Sequence, residues 1–233
     1  MEQYLKMSEK KFRHERKHRI NYSDYLALRS RLSTVMKKDA NVKQDGTYRI
    51  RSLYFDNAND KVLMEKINGY NEREKFRIRY YNEDHNFIRL EKKSKIHGLC
   101  SKETATITKE QCEQILNGDI QWLRESKIAL FVDLYTKMHY QQLKPRVLVD
   151  YIREPFVYKA GNVRVTLDSQ IRSSIYNKNL FDEESLSIIV PDNQIILEVK
   201  YDAFLPEIIE NLVQLEYRRE GVYSKYAACR MYG

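Results

Sequence analysis

The residues whose chemistry is most legible are cations placed at every second position. In Lys75-Phe-Arg77-Ile-Arg79 they alternate with apolar residues, and Arg89, Glu91, Lys93 and Lys95 stand against Ile88 and Leu90 in the same way. Arg13, Glu15 and Lys17 have that spacing too, Arg164 lies between Val163 and Val165, and Glu198 and Lys200 flank Val199. Side chains of a strand point alternately to its two faces, so each set shares one face. Guanidinium groups bond phosphate oxygens through a planar fork and ammonium groups add point charges, so such faces suit a phosphate-rich anion. The carboxylates among them, Glu15, Glu91 and Glu198, have two uses: pairing with neighbouring cations, or holding a divalent ion that bridges the ligand's phosphates. Spacing alone leaves both open.

An ordinary sheet with one solvated face would alternate as well. Solvated faces, however, mix Ser, Thr and Gln with both signs of charge, whereas these positions are mostly Arg and Lys. The apolar faces are also free to receive helices. With helices outside, the charged faces turn inward and line the lumen of a barrel. Like charges lining a lumen are costly unless an anion fills it, which argues for a ligand.

The elements that must carry these faces can be read along the chain. Strands are expected over residues 12–20, 48–56, 74–81, 87–95, 102–108, 146–156, 162–168 and 194–201. Helices are expected from Asn21 or Ser23 to Val35, where Tyr25, Leu28 and Leu32 have helical spacing, and over 57–67, 109–116, 122–135, 206–215 and 224–230. Residues 169–193 show no clear period. There is no linker rich in Gly, Pro or Ser and no repeat, so one domain over residues 1–233 is expected.

Composition narrows the partners. The net charge of +8 favours an anion, while 42% hydrophobic and 32% charged residues with only seven Gly and four Pro indicate a packed domain rather than a disordered chain. Three cysteines, Cys100, Cys112 and Cys229, lack zinc-site spacing and read as reduced intracellular thiols. No apolar run reaches the roughly 18 residues of a membrane span, and Met1–Phe12 has no apolar signal core, so a cytoplasmic location is expected. His14 and His18 would lie on a strand facing away from Glu15 and are not expected to bind metal. No Ser-His-Asp or Cys-His signature and no glycine-rich phosphate loop is present.

Seven fragments in order carry a family resemblance: Arg13-His-Glu15-Arg-Lys17, Ser52-Leu-Tyr-Phe-Asp56, Lys75-Phe-Arg77-Ile-Arg79, Leu90-Glu91-Lys-Lys93, Arg164-Val-Thr-Leu-Asp168, Leu197-Glu198-Val-Lys200-Tyr and Ser224-Lys225-Tyr. Together, from about Phe12 to Arg230, they resemble the vacuolar transporter chaperone (VTC) domain of the triphosphate tunnel metalloenzyme superfamily. The resemblance implies an α+β fold: an eight-stranded antiparallel β-barrel, or tunnel, with a charged lumen and helices outside. It implies a polyphosphate polymerase that transfers the γ-phosphate of ATP to a growing inorganic polyphosphate chain with Mn2+ or Mg2+. Carried over by position, Arg77, Arg79, Lys93, Arg153 and Arg164 resemble the catalytic tunnel cations, and Glu198 the metal ligand. Tyr151, Lys200, Ser224, Lys225 and the basic positions Lys17, Lys66 and Lys102 resemble substrate-binding residues. Two positions depart from related patterns. Arg13 replaces the first of two alternating glutamates of hydrolase members, which argues against simple triphosphate hydrolysis, and Val222 stands where some polymerases carry a basic residue.

The alternatives are a non-catalytic module that binds polyphosphate or another phosphorylated ligand, a triphosphate hydrolase of the same superfamily, and a nucleic-acid binder. Retention of Glu198 favours the enzyme over the module. The nucleic-acid reading has only net charge and tyrosine content behind it, with no recognition motif.

Overall fold

The structure is a computed structural model that describes residues 12–182, 187–190, 194–215, 220–221 and 223–232. Its frame is one antiparallel sheet. The chain runs through β1 (His14–Ile20), α1 (Tyr22–Val35), β2 (Lys37–Lys38), β3 (Tyr48–Asp56), α2 (Lys61–Ile67), β4 (Glu72–Tyr81), β5 (Ile88–Ile96) and β6 (Leu99–Ile107). Three helices follow, α3 (Lys109–Asn117), α4 (Gln121–Arg124) and α5 (Ala129–Tyr140), and then β7 (Lys144–Tyr158) and β8 (Val163–Ser174). The last elements are β9 (Ile188–Ile189), β10 (Ile195–Tyr201), α6 (Glu207–Val213) and α7 (Lys225–Tyr232).

Eight strands are ordered β1-β10-β8-β7-β3-β4-β5-β6, with the short β2 and β9 attached to β7 and β8. The two end strands meet at one antiparallel bridge, where the amides of Arg13 and Cys100 donate to each other's carbonyls at 3.0 and 3.3 Å. The described residues thus form a curled sheet joined at one point, not the ladder of a fully closed barrel.

Alternation decides what lies on each side. The outer residues Leu53, Phe55, Phe76, Ile78, Ile88 and Leu90 pack against Cys112 and Ile115 of α3, Leu123 of α4 and Phe131 and Leu134 of α5. Around the sheet, Val165, Leu167, Leu197 and Val199 bury Leu28 and Leu32 of α1 and Ile209 of α6. Local sequence sets the helix starts. Asn21 and Asp24 form a reciprocal capping box for α1, and Thr108 and Gln111 form another for α3. Gly118, with φ +86°, ends α3 in a conformation that glycine adopts without steric cost.

Several expectations are corrected. The helix expected over 122–135 is two helices, because the chain leaves the helical path at 125–128, where Ser126 Oγ accepts the Ile128 amide at 3.1 Å. The helix expected over 57–67 starts at Lys61, since Asn57 Oδ1 accepts the amides of Asn59 and Lys61 and holds a turn first. β8 continues beyond Asp168 to Ser174, with a register shift against β7 and Gln170 at φ +50°. Helices do not all lie outside. On the inner face Ile50, Tyr54, Val149 and Tyr151 pack against Tyr226, Ala227, Ala228 and Cys229 of α7. That stretch of the inner face is apolar enough to bury a helix.

Asp56 ties this inner helix to the sheet. Fully buried, it accepts the Val62 and Leu63 amides of α2 at 2.9 and 3.1 Å and the Tyr226 hydroxyl of α7. Asp56→Ala is expected to cost about 3 kcal/mol, since it orphans several buried donors at once. Tyr226→Phe, which removes one donor, should cost about 1 kcal/mol. Urea unfolding checks both values, and equal losses would show that Asp56 is not a shared anchor.

Candidate functional site

The pairing register brings the alternating cations together. Across β4 and β5, Lys75 faces Lys93, Arg77 faces Glu91 and Arg79 faces Arg89; across β3 and β4, Tyr54 faces Arg77 and Ser52 faces Arg79. Glu91 is fully buried and collects three cations. Arg77 Nε donates to it at 2.7 Å, Lys102 Nζ lies 3.1 Å away, and Arg79 Nη1 lies 3.9 Å away. Burial alone would raise its pKa, but Arg77, Arg79 and Lys102 outweigh that and hold it far below the usual carboxylate range. Arg77 also donates to the Tyr54 hydroxyl at 2.8 Å. Arg79 donates to Ser52 Oγ at 2.8 Å and to the Tyr151 hydroxyl at 3.0 Å.

A second chain of alternating charge crosses β8, β10 and β1. Arg153 holds Asp168 bidentately at 2.6 and 2.7 Å and reaches Glu198 at 3.4 Å. Lys225 pairs with Asp168, and Lys200 with Glu198 at 3.0 Å. Lys17 bridges Glu198 at 3.3 Å and Glu15 at 2.7 Å, and Lys93 also pairs with Glu15. Burial and repulsion from Glu198 would raise the Glu15 pKa, yet Lys17 and Lys93 bring it down to about 2. Against the same burial, Lys200 and Lys17 hold Glu198 well below its ordinary range. Arg164 donates to the Tyr48 hydroxyl at 2.7 Å and pairs with Asp39 at 2.6 Å.

Other cations lack such compensation. Among the described residues no carboxylate pairs with Lys75. Burial, together with Lys93, Lys17 and Arg77, lowers its ammonium to about 7, although a favourable interaction with Tyr54 opposes them. Burial and then Arg73, Lys17 and Lys95 lower Lys66 to about 8. Burial would raise the Tyr54 phenol, but Arg77, Lys75 and Arg79 bring it down to about 7. These lysines border open space. One cavity of about 360 Å³ is lined by Glu15, Lys17, Lys75 and Lys93, and a larger one of about 700 Å³ adjoins it.

The expected site residues of the strands therefore share the inner face, joined by Lys66 from α2 and by Ser224 and Lys225 at the start of α7, and they play different parts. Lys17, Lys66, Lys93 and Ser224 line cavities. Arg77, Arg79, Lys102, Arg153, Lys200 and Lys225 are engaged by carboxylates in the wall, Tyr151 receives Arg79, and Arg164 is held by Asp39. Arg13 stands outside the carboxylate cluster, donating to the Asn162 carbonyl and pairing with Asp202 at 2.8 Å. Val222 lies outside the described residues. Lys75, which strand parity placed on the charged face, was given no role in the site, and Tyr54 and Asp168 were not assigned to it; parity could have found both, since each pairs with an expected cation.

Among the described residues no three carboxylate, His or Cys side chains gather closely enough to hold a divalent ion. Glu15 and Glu198, bridged by Lys17, offer hard oxygens near cations that would hold phosphate. This fits an ion that takes one or two ligands from protein and the rest from phosphate and water, as Mg2+ does in phosphoryl-transfer sites.

A curled sheet with a basic inner face and a carboxylate pair is a surface whose charge suits an anion. The VTC domain family matches residues 12–232, and the chain belongs to that family. Among solved structures, a proposed adenylate cyclase from Bacillus halodurans is 15% identical with a TM-score of 0.50, covering 95% of this chain and 87% of the other. Another proposed adenylate cyclase, from Vibrio parahaemolyticus, is 12% identical with a TM-score of 0.43, over 87% and 82% of the two chains. A Pyrococcus horikoshii OT3 protein is 15% identical with a TM-score of 0.41, over 86% and 84%. At these identities the first likeness bears on the fold alone. No curated protein matches the sequence.

The depressed lysines set a pH dependence. With Lys75 near 7 when folded and 10.5 as the ordinary value, the unfolded chain binds more protons between those limits. Stability of the ligand-free protein should therefore rise with pH from about 7, and the lowered Tyr54 acts in the same direction. Cys112 and Cys229, pushed up from 9.0 to about 12 by burial, oppose the trend above about 9, and Tyr25 and Tyr151, both raised to about 12, above about 10. Urea midpoints measured between about pH 7 and 9 should climb in the wild type and climb less in Lys75→Met; an unchanged slope would remove Lys75 as its cause.

Proposed function

We propose that the protein is a polyphosphate polymerase that transfers the γ-phosphate of ATP to the end of an inorganic polyphosphate chain. The observation that carries this reading is the surplus of cations on the inner face around the Glu15–Glu198 carboxylate pair, in a chain of the VTC domain family. In the transfer, an ionised terminal oxygen of the acceptor chain bonds to the γ-phosphorus and the bond from that phosphorus to the β-bridging oxygen breaks, releasing ADP. The attacking oxygen is already ionised, so no general base is required. Lys17, Lys75 and Lys93 offset the charge of two polyanions brought end to end. Arg77 and Arg79, fixed by Glu91, Tyr54, Ser52 and Tyr151, supply donors that need no reorganisation as charge shifts to the leaving oxygen. Mn2+ or Mg2+ held by Glu198 and Glu15 would neutralise phosphate oxygens there.

Incubation with ATP and Mn2+, followed by gel separation and polyphosphate staining, tests the activity directly. Glu198→Gln should lower metal-dependent ATP turnover by about a hundredfold or more while metal-free polyphosphate binding survives. The comparison requires a variant whose melting matches the wild type, because Glu198 also offsets Lys17, Lys200 and Arg153. Near-normal turnover in that variant would remove Glu198 from the chemistry and put the binding-module reading ahead.

A further inference from the structure

Lys75 lines the smaller cavity, and it differs from the cations around it in its partners. The carboxylates on neighbouring strands are already engaged: Glu15 by Lys17 and Lys93, and Glu91 by Arg77 and Lys102. Glu74, of the opposite parity, is held by Lys92 and Lys137, and Glu220, which also lines the cavity, is exposed. Among the described residues none of them pairs with Lys75. Its neighbours are instead Lys93, directly opposite on β5, Arg77 on the same face of β4, and the Tyr54 ring of β3, 5.4 Å from Nζ. Burial and the like charges of Lys93, Lys17 and Arg77 outweigh Tyr54 and bring the ammonium down to about 7. At pH 7 about half of the Lys75 amines are then unprotonated, against about one in 3,000 for an ordinary lysine. An unprotonated amine beside other cations, at the wall of an open cavity, is a nucleophile.

The surroundings of that amine select its reaction partner. Lys93 gives one of its N–H donors to Glu15 and keeps the others, and Lys95 lines the same cavity two positions further along β5. An electrophile that carries a phosphate group is drawn to these two ammonium groups, and a cavity of about 360 Å³ admits a small one. We propose that Lys75 is a covalent modification site, acylated by a small acyl phosphate whose phosphate group rests against Lys93 and Lys95. The Nζ lone pair of Lys75 bonds to the carbonyl carbon, and the bond from that carbon to the bridging oxygen breaks. Inorganic phosphate departs with the electron pair and takes up the proton that the new amide nitrogen loses. Lys93, opposite Lys75, offsets the charge that develops on the carbonyl oxygen. The amide that results is uncharged, so the modification removes one cation from the cavity.

Site-resolved mass spectrometry on the wild-type protein tests this, near pH 7 and without ATP or divalent metal. Two reagents are compared: acetyl phosphate, and the N-hydroxysuccinimide ester of acetic acid, which carries no phosphate. With acetyl phosphate, Lys75 should be acetylated about tenfold or more faster than the exposed Lys43 and Lys127. The advantage is smaller than the difference in unprotonated amine, because a less basic amine is also a weaker nucleophile. Preference for Lys75 should be lower with the ester, and it should vanish for both reagents in urea that unfolds the chain. Excess inorganic phosphate should slow the acetyl phosphate reaction at Lys75 and leave Lys43 unchanged. Acetylation of Lys75 no faster than of Lys43, equal preference with the two reagents, preference that survives in urea, or no protection by phosphate would each overturn the inference. No turnover of ATP is read, so none of these outcomes bears on the polymerase reading. A protein acetylated at Lys75 as expected that makes no polyphosphate from ATP, before acetylation, would sink that reading alone.

Discussion

Cations on alternate positions of neighbouring strands become direct neighbours when those strands pair. Lys75 faces Lys93, Lys93 faces Lys102, Arg79 faces Arg89 and Lys200 faces Arg164. Each rung of like charge is unfavourable, and half-burial makes it more so. Much of the inner face is an answer to that repulsion. Glu91, Glu15, Glu198 and Asp168 each bind two or more cations and convert a set of repelling charges into a connected network.

The compensation is uneven, and its unevenness separates two kinds of cation. Guanidinium groups such as Arg77 and Arg153 are held by carboxylates in fixed orientations, so they present preorganised donors. Lys75 and Lys66 border open cavities with depressed pKa values, so an anion placed there would stabilise their charge. The repulsion left unrelieved therefore lies where the inner face is open. Glu154 is a useful contrast on the other side of the sheet. Buried, it is matched by Arg29, Lys38 and the Tyr25 hydroxyl and locks α1 in place.

The apolar coat makes this charged interior affordable in structural terms. α1 and α6 cover one part of the outer face and α3–α5 another, while α7 enters the inner face where Ile50, Val147 and Val149 replace charge. Asp56, joining the end of β3 to both α2 and α7, links that inner helix to the strand carrying Ser52 and Tyr54. Ala227 and Ala228 of α7 line the larger cavity, so the placement of α7 bears on that cavity as well as on stability.

Much of this architecture is local and was legible from residue order alone. Period-two alternation marks β3 at Tyr48–Asp56 and divides β4 and β5 into charged and apolar faces, because side-chain direction in a strand follows from backbone geometry. The same parity placed Arg77, Lys93 and Glu198 on the charged face, and the ordered fragments indicated the VTC domain. What remained hidden depends on partners distant in sequence. The inward seat of α7, the Arg13–Cys100 bridge where the end strands meet and the short strands β2 and β9 arise only when remote segments meet. The division between satisfied and unsatisfied cations is equally non-local: Arg153 is quenched by Asp168 from the neighbouring strand, while Lys75, of identical parity to Arg77, finds no carboxylate among the described residues. Sequence determined which charges share a face; only the tertiary pairing decided which of them are left for a ligand, because Coulomb interactions depend on distance in space rather than along the chain.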